Sequence, residues 1–151
     1  MKTFCCTLLL LLGCALHRGA EGYGCRSGFH THGGSCYWFS NMKGTFAEAR
    51  SICRFLGSDL ASITSAAENA FIRGYAAQTG KAEVYYVGGS DLSLEGSWRW
   101  TGNQLFTFTN WGPGQPRDSE NDEDCLALQK SDEYRWHDYP CDFITNFICE
   151  M

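Results

Sequence analysis

Nine cysteines stand in this 151-residue chain, and their placement limits its fold more than any other feature. Cys5, Cys6 and Cys14 lie in an apolar leader. Cys25, Cys36, Cys53, Cys125, Cys141 and Cys149 are spread over the rest. The leader has the layout of a secretory signal peptide: Lys2, an almost wholly apolar run from Thr7 to Leu12, then the small residues Gly13, Cys14 and Ala15. Residues 1–20 are therefore expected to be removed, with cleavage between 15 and 20. The run is too short for a membrane span, which takes about 20 apolar residues. An even number of cysteines in a small secreted domain points to a full set of disulfides, but spacing alone does not say which cysteine pairs with which. The spacings are wide and contain no close cysteine pair, which argues against structural zinc.

Without the leader, 131 residues remain, enough for one domain with a real core. Ten basic residues then face seventeen acidic ones, a formal charge of −7. Such a surface disfavours nucleic acid and anionic membranes and is compatible with cations. There is no second apolar run, so membrane insertion is not expected and the mature domain should be extracellular.

Helix signals come first along the chain. "CYWFS" has the aromatic content of a strand. Thr45 with Glu48 forms a capping-box pattern, and Phe46, Ala49, Cys53 and Leu56 recur at helical spacing up to Gly57. Ser65 with Glu68 repeats the pattern. Ala67, Phe71 and Tyr75 mark the expected buried face of a second helix, running to about Gln78 before Gly80. Beyond Gly80 the character changes. "VYYVGG", "SWRW", "CLAL", "YRWHD" and "NFICE" read as strands of small antiparallel sheets. Helices first and strands afterwards give an α+β class.

Between "SWRW" and "CLAL" lies an irregular stretch, Thr101 to Asp124, of a length that is uncommon without a function. It contains "GQPRDSENDEDC", in which Arg117 is followed by five acids before Cys125. A bridge at Cys125 would tether the acidic end, and a cis Gln115–Pro116 bond would turn its flanking side chains to one side. Carboxylates and amides held this way suit a hard cation that takes six to eight oxygens, with Asp138 near Cys141 as a further donor.

The cysteine order, together with "YYVGG", "WGPGQP", "EDC" and "WHDYPC", resembles the long-form C-type lectin domain over Gly24 to Glu150. Several of its motifs are most similar to lectin-like proteins of molluscan nacre, a group proposed to act in shell matrix and in invertebrate defence. The resemblance implies a C-type lectin-like fold: two helices, a long irregular loop, and disulfides 25–36, 53–149 and 125–141. It also implies a primary calcium site that binds sugar hydroxyls. Gln115, in the form associated with galactose-type rather than mannose-type preference, matches that site, as do Glu123 and Asp138. Two positions depart from it. Arg117 stands where an oxygen ligand belongs, and arginine has no acceptor and stays protonated. His137 stands where an asparagine belongs, and imidazole suits zinc or copper better than calcium. The resemblance further implies an auxiliary Ca2+ site at Asp91, Glu95, Asp118 and Asp124 with the backbone of Glu123.

The expected function is thus calcium-dependent carbohydrate binding, weakened by Arg117 and His137. The alternative is a module that binds calcium, calcium carbonate mineral or a matrix protein. An enzyme is not expected: His137 and Asp138 are adjacent on a strand and face opposite ways, and no nucleophile stands free. His30 and His32 read as exposed, with weak copper or zinc binding as the other possibility. Glu120, Asp122, Asp132 and Glu133 read as solvated acids. Trp98, Trp100, Trp111 and Trp136 read as core.

Overall fold

The computed structural model describes residues 24–117 and 122–151. The leader, Asp118 and Glu120 lie outside the described residues. The elements in chain order are β1 (His30–His32), β2 (Ser35–Phe39), α1 (Phe46–Phe55), β3 (Asp59–Leu60), α2 (Ala66–Thr79), β4 (Val84–Ser90), β5 (Arg99–Trp100), β6 (Cys125–Gln129), β7 (Arg135–Tyr139) and β8 (Asn146–Glu150). The strands join in the order β1-β2-β8-β4-β6-β7, with β3 on β8 and β5 on β4.

Alternation along the central strands explains the layering, because successive side chains point to opposite faces. Tyr85, Leu126, Leu128 and Ile148 turn to the face that holds Ile72 and Ala76 of α2. Tyr86, Ala127, Phe147 and Cys149 turn to the face that holds Phe46, Ala49 and Cys53 of α1. The three disulfides are Cys25–Cys36, Cys53–Cys149 and Cys125–Cys141. The second ties α1 to β8, and the third ties the acidic end of the long loop to the segment after β7.

The two helices are capped differently. At α1 the box is reciprocal: Thr45 Oγ1 accepts from the Glu48 amide, and Glu48 Oε2 accepts from the Thr45 amide at 2.9 Å. At α2 only half of it forms. Ser65 accepts from the Glu68 amide, while the Glu68 carboxylate turns inward to the Tyr37 hydroxyl at 2.6 Å and the Thr64 amide at 2.7 Å. Tyr37 also donates to Glu150 at 3.3 Å, and burial raises the pKa of both the Tyr37 hydroxyl and the Glu150 carboxyl. The buried face of α2 is consequently Glu68, Asn69, Ile72 and Ala76. That corrects the expected face of Ala67, Phe71 and Tyr75: Ala67 is exposed and the two aromatics are half-buried.

The sheet is mixed rather than purely antiparallel. β4 runs parallel to β8, with Tyr85 beside Asn146 and Tyr86 beside Phe147. His30 and His32 are another correction. Both are half-buried under α2, where His32 stacks on Phe71 at 4.3 Å and His30 packs on Tyr75 at 4.3 Å.

Candidate functional site

The long segment after β5 is two things in series. Its first half is core. Trp100 stacks on Phe106 at 4.2 Å, Trp98 meets Trp111 edge-on at 4.8 Å, and Trp136 packs against both Trp100 and Trp111. All four tryptophans therefore pack as core, as their sequence context suggests. Asn110 then runs beside β7, accepting from the Trp136 amide at 3.0 Å, and Gly112 donates to the Trp136 carbonyl at 2.9 Å. The chain is further pinned to α2, because the Asn69 amide links the Trp136 indole and the Asn110 side chain at 3.0 Å each. The described residues that follow, 113–117, take no part in these ring contacts.

That second half makes a cleft of ≈ 280 Å³ against β7, the outer strand of the sheet. Gln115, Arg117, Glu123, Gln129, His137, Asp138 and Tyr139 line it. The Gln115–Pro116 peptide is cis. All five residues singled out in the sequence thus meet in one cleft. Gln129 and Tyr139, bonded to each other at 3.0 Å, are additions. Their signal was present in the strand alternation, but it could be read only after β6 and β7 had been paired.

Contacts within the cleft separate the five. Arg117 Nη2 lies 3.3 Å from Glu123 Oε1, and the Arg117 backbone amide donates to Asp138 Oδ2 at 2.6 Å. The Glu123 side chain is only 13% exposed, whereas that of Arg117 is 63% exposed. Gln115 Oε1 is buried and accepts no hydrogen bond from the described residues. His137 is turned to the Asp132 carboxylate, with Nε2 at 3.0 Å from Oδ2. Asp132 also meets Arg135 at 3.6 Å, so it is not a plain solvated acid. Glu133 is exposed but pairs with Arg73 and Arg135.

A second cluster sits at the end of β4. One ligand oxygen each from Asp91, Glu95 and Asp124 falls within 4.8 Å of the others, a grouping that could hold a metal ion. Asp91 is 4% exposed. Its Oδ2 accepts from the Gly96 amide at 2.8 Å, while its buried Oδ1 accepts nothing from the described residues. Burial pushes the Asp91 carboxyl up to about 6, with Glu95 and Asp124 adding to the rise and the Gly96 bond opposing it. The Asp91 amide donates to the Asp124 carbonyl at 3.2 Å, which ties this cluster to the acidic end of the long loop. Asp118, the remaining expected member, lies outside the described residues.

Residues 42–151 match the Lectin C-type domain family. The chain belongs to that family. This C-type lectin domain is 48% identical to perlucin of Haliotis laevigata over 128 residues, covering 84% of this chain and 83% of that one. It is similar to the mouse scavenger receptor C-type lectin carbohydrate-recognition domain, with a TM-score of 0.76 and 32% identity over 84% of this chain and 95% of that one. A calcium-independent type II antifreeze protein is similar too, with a TM-score of 0.76 and 27% identity over 85% of this chain and 94% of that one. By name these two structural relatives are a carbohydrate-recognition domain and an antifreeze protein, neither of them an enzyme. Among the described residues no helix is long and apolar enough to cross a membrane.

Proposed function

We infer that this chain is a secreted lectin-like module. It binds saccharides in the Gln115 cleft and holds calcium, through Asp91, Glu95 and Asp124, beside that cleft. The observation that carries the reading is the convergence of Gln115, Glu123 and Asp138 on one ≈ 280 Å³ cleft, with the Gln115 carbonyl oxygen buried and without a hydrogen-bond donor among the described residues. A buried acceptor left without a partner is costly, and a ligand hydroxyl or an ion is the natural partner. Kinship with a carbohydrate-recognition domain supports the same reading.

Calcium fits the two clusters unequally. At Asp91 the donors are hard oxygens, one of them buried and unsatisfied, and three carboxylates together repel one another until a cation joins them. Calcium there would offset most of the cluster's negative charge and order the adjoining loop end. The Gln115 cleft is a poor home for the ion. Arg117 already faces Glu123, its amide already uses Asp138 Oδ2, and His137 is held by Asp132. The galactose-type preference suggested by Gln115 and Pro116 belongs to this proposal, as does a role in shell matrix or defence suggested by kinship with perlucin.

A second reading has its own support. The fold also serves a calcium-independent antifreeze protein, and the acids beside the loop suit a mineral surface or a cationic matrix protein. Glycan-array binding of the secreted domain, in calcium and again in chelator, separates the two. Signal on galactose-bearing glycans that rises with calcium is expected. No signal in either buffer from a demonstrably folded sample would transfer the function to the mineral- or protein-binding module.

A further inference from the structure

We propose that Arg117 makes the cleft selective for acidic saccharides, gripping a carboxylate or sulfate group on the sugar in the absence of any metal ion. The inference rests on the reading of the cleft as a saccharide site. A calcium ion gathers several oxygens at once, including neutral hydroxyls. A guanidinium is a flat fork of five donors whose best partner is a flat or tetrahedral oxyanion, met by two parallel N–H···O bonds.

Arg117 is arranged for this. Among the described residues its side chain is engaged only through Nη2, with Glu123, which leaves the Nε and Nη1 donors open. The side chain is 63% exposed, so the open edge of the fork is accessible from the approach to the cleft. Arg117 engages both of the acids that line the cleft with it. Glu123 faces the guanidinium itself, and Asp138 Oδ2 accepts the Arg117 amide. That 2.6 Å bond also fixes the backbone at Arg117, so the side chain springs from a set origin. Deeper in the cleft, Gln115 Oε1 offers an acceptor for a sugar hydroxyl, and the cleft is of the size of one or two sugar rings. An acidic sugar can thus satisfy both ends, with its anionic group on Arg117 and a ring hydroxyl on Gln115.

The test uses the chain as secreted by expressing cells, titrated in chelator with three probes: an oligogalacturonate, a sulfated galactose oligosaccharide and neutral galactose. The acidic probes are expected to bind at least tenfold more tightly than galactose, with affinity falling as salt rises because the grip is electrostatic. The R117Q variant, shown to be folded by its thermal melt, should lose that margin. R117K should retain part of it, since lysine keeps the charge but not the fork. A margin on either acidic probe supports the proposal, and a difference between the two identifies the preferred oxyanion. Equal binding of acidic and neutral probes, or an R117Q variant that keeps the margin, overturns it. If galactose binds in calcium while acidic probes show no preference, this inference alone falls. If no saccharide binds in any buffer, the lectin reading falls with it.

Discussion

The Arg117 guanidinium lies 3.3 Å from the Glu123 carboxylate, inside the cleft that Gln115 and Asp138 complete. A cation on a side chain therefore stands among the oxygens that the family resemblance assigns to an ion. Replacing it with an oxygen donor should reverse that. The Arg117→Asp variant is expected to gain a second calcium-binding event by calorimetry, with affinity in the cleft raised at least tenfold (about 1.4 kcal/mol). Calcium-dependent galactose binding should strengthen with it. Unchanged calcium stoichiometry and unchanged galactose affinity in that variant would mean that Arg117 does not guard the site.

Asp91 yields a pH prediction. Its carboxyl is raised to about 6 from an ordinary value of 3.8. A raised carboxyl contributes stability below its unfolded pKa and loses that contribution as pH climbs through the folded value. The metal-free protein should thus lose stability between about pH 4 and pH 6 through this group. Asp91→Asn removes the charge, so metal-free melts of the variant should vary less over that window and lie higher at pH 7. In calcium the ranking should invert, because wild type gains from ion binding and the variant gains little. Parallel melts of the two proteins in chelator, with equal slopes across that window, would contradict the account.

Two glycines should respond oppositely to alanine. A Cβ on Gly112 would lie 2.7 Å from His137 Nε2 and closer still to Asp132 Oδ2, at the point where the loop crosses the His137–Asp132 pair. Gly112→Ala should destabilise by about 1–3 kcal/mol, as forced overpacking does. Gly74 sits within α2, and the place an alanine methyl would take there is open space. Gly74→Ala should stabilise by about 0.5–1 kcal/mol through helix propensity. Urea denaturation of both variants checks the pair.

Disulfide removal should scale with the loop that each bridge closes. Cys53–Cys149 spans 96 residues and Cys125–Cys141 spans 16. Chain-entropy reasoning puts the losses near ~4.7 and ~3 kcal/mol, respectively. The smaller loss should carry the larger effect on calcium affinity, since Cys125 directly follows Asp124 and holds the acidic end of the loop. Paired alanine variants, compared by denaturant midpoint and by calcium titration, separate these two roles.

Much of the fold could be read along the chain because its signals are local. The reciprocal cap at Thr45 and Glu48 involves residues three apart and formed as its pattern says. The turn at Gly80 adopts the left-handed conformation that glycine permits. The same local reasoning misjudged Glu68. Its spacing from Ser65 repeats that of the first cap, but the Tyr37 hydroxyl, brought in from β2, and the Thr64 amide offered its carboxylate other donors. The parallel pairing of β4 with β8 was also out of reach, since strand direction follows from how the whole chain returns.

At the site, the sequence by itself, through its resemblance to C-type lectin domains, named the side chains expected together, Gln115, Arg117, Glu123, His137 and Asp138, and so which oxygens would meet an intruding cation. Their chemistry is fixed by side-chain type, so the misfit of Arg117 with calcium was legible at once. What only the tertiary structure decided is who bonds to whom. Arg117 divided its partners, giving its side chain to Glu123 and its amide to Asp138, and His137 turned away to Asp132 across the β6–β7 connection. The physical reason is distance. A hydrogen bond is settled within about 3 Å, and separations on that scale between residues far apart in sequence exist only after the sheet, the helices and the bridges have closed around them.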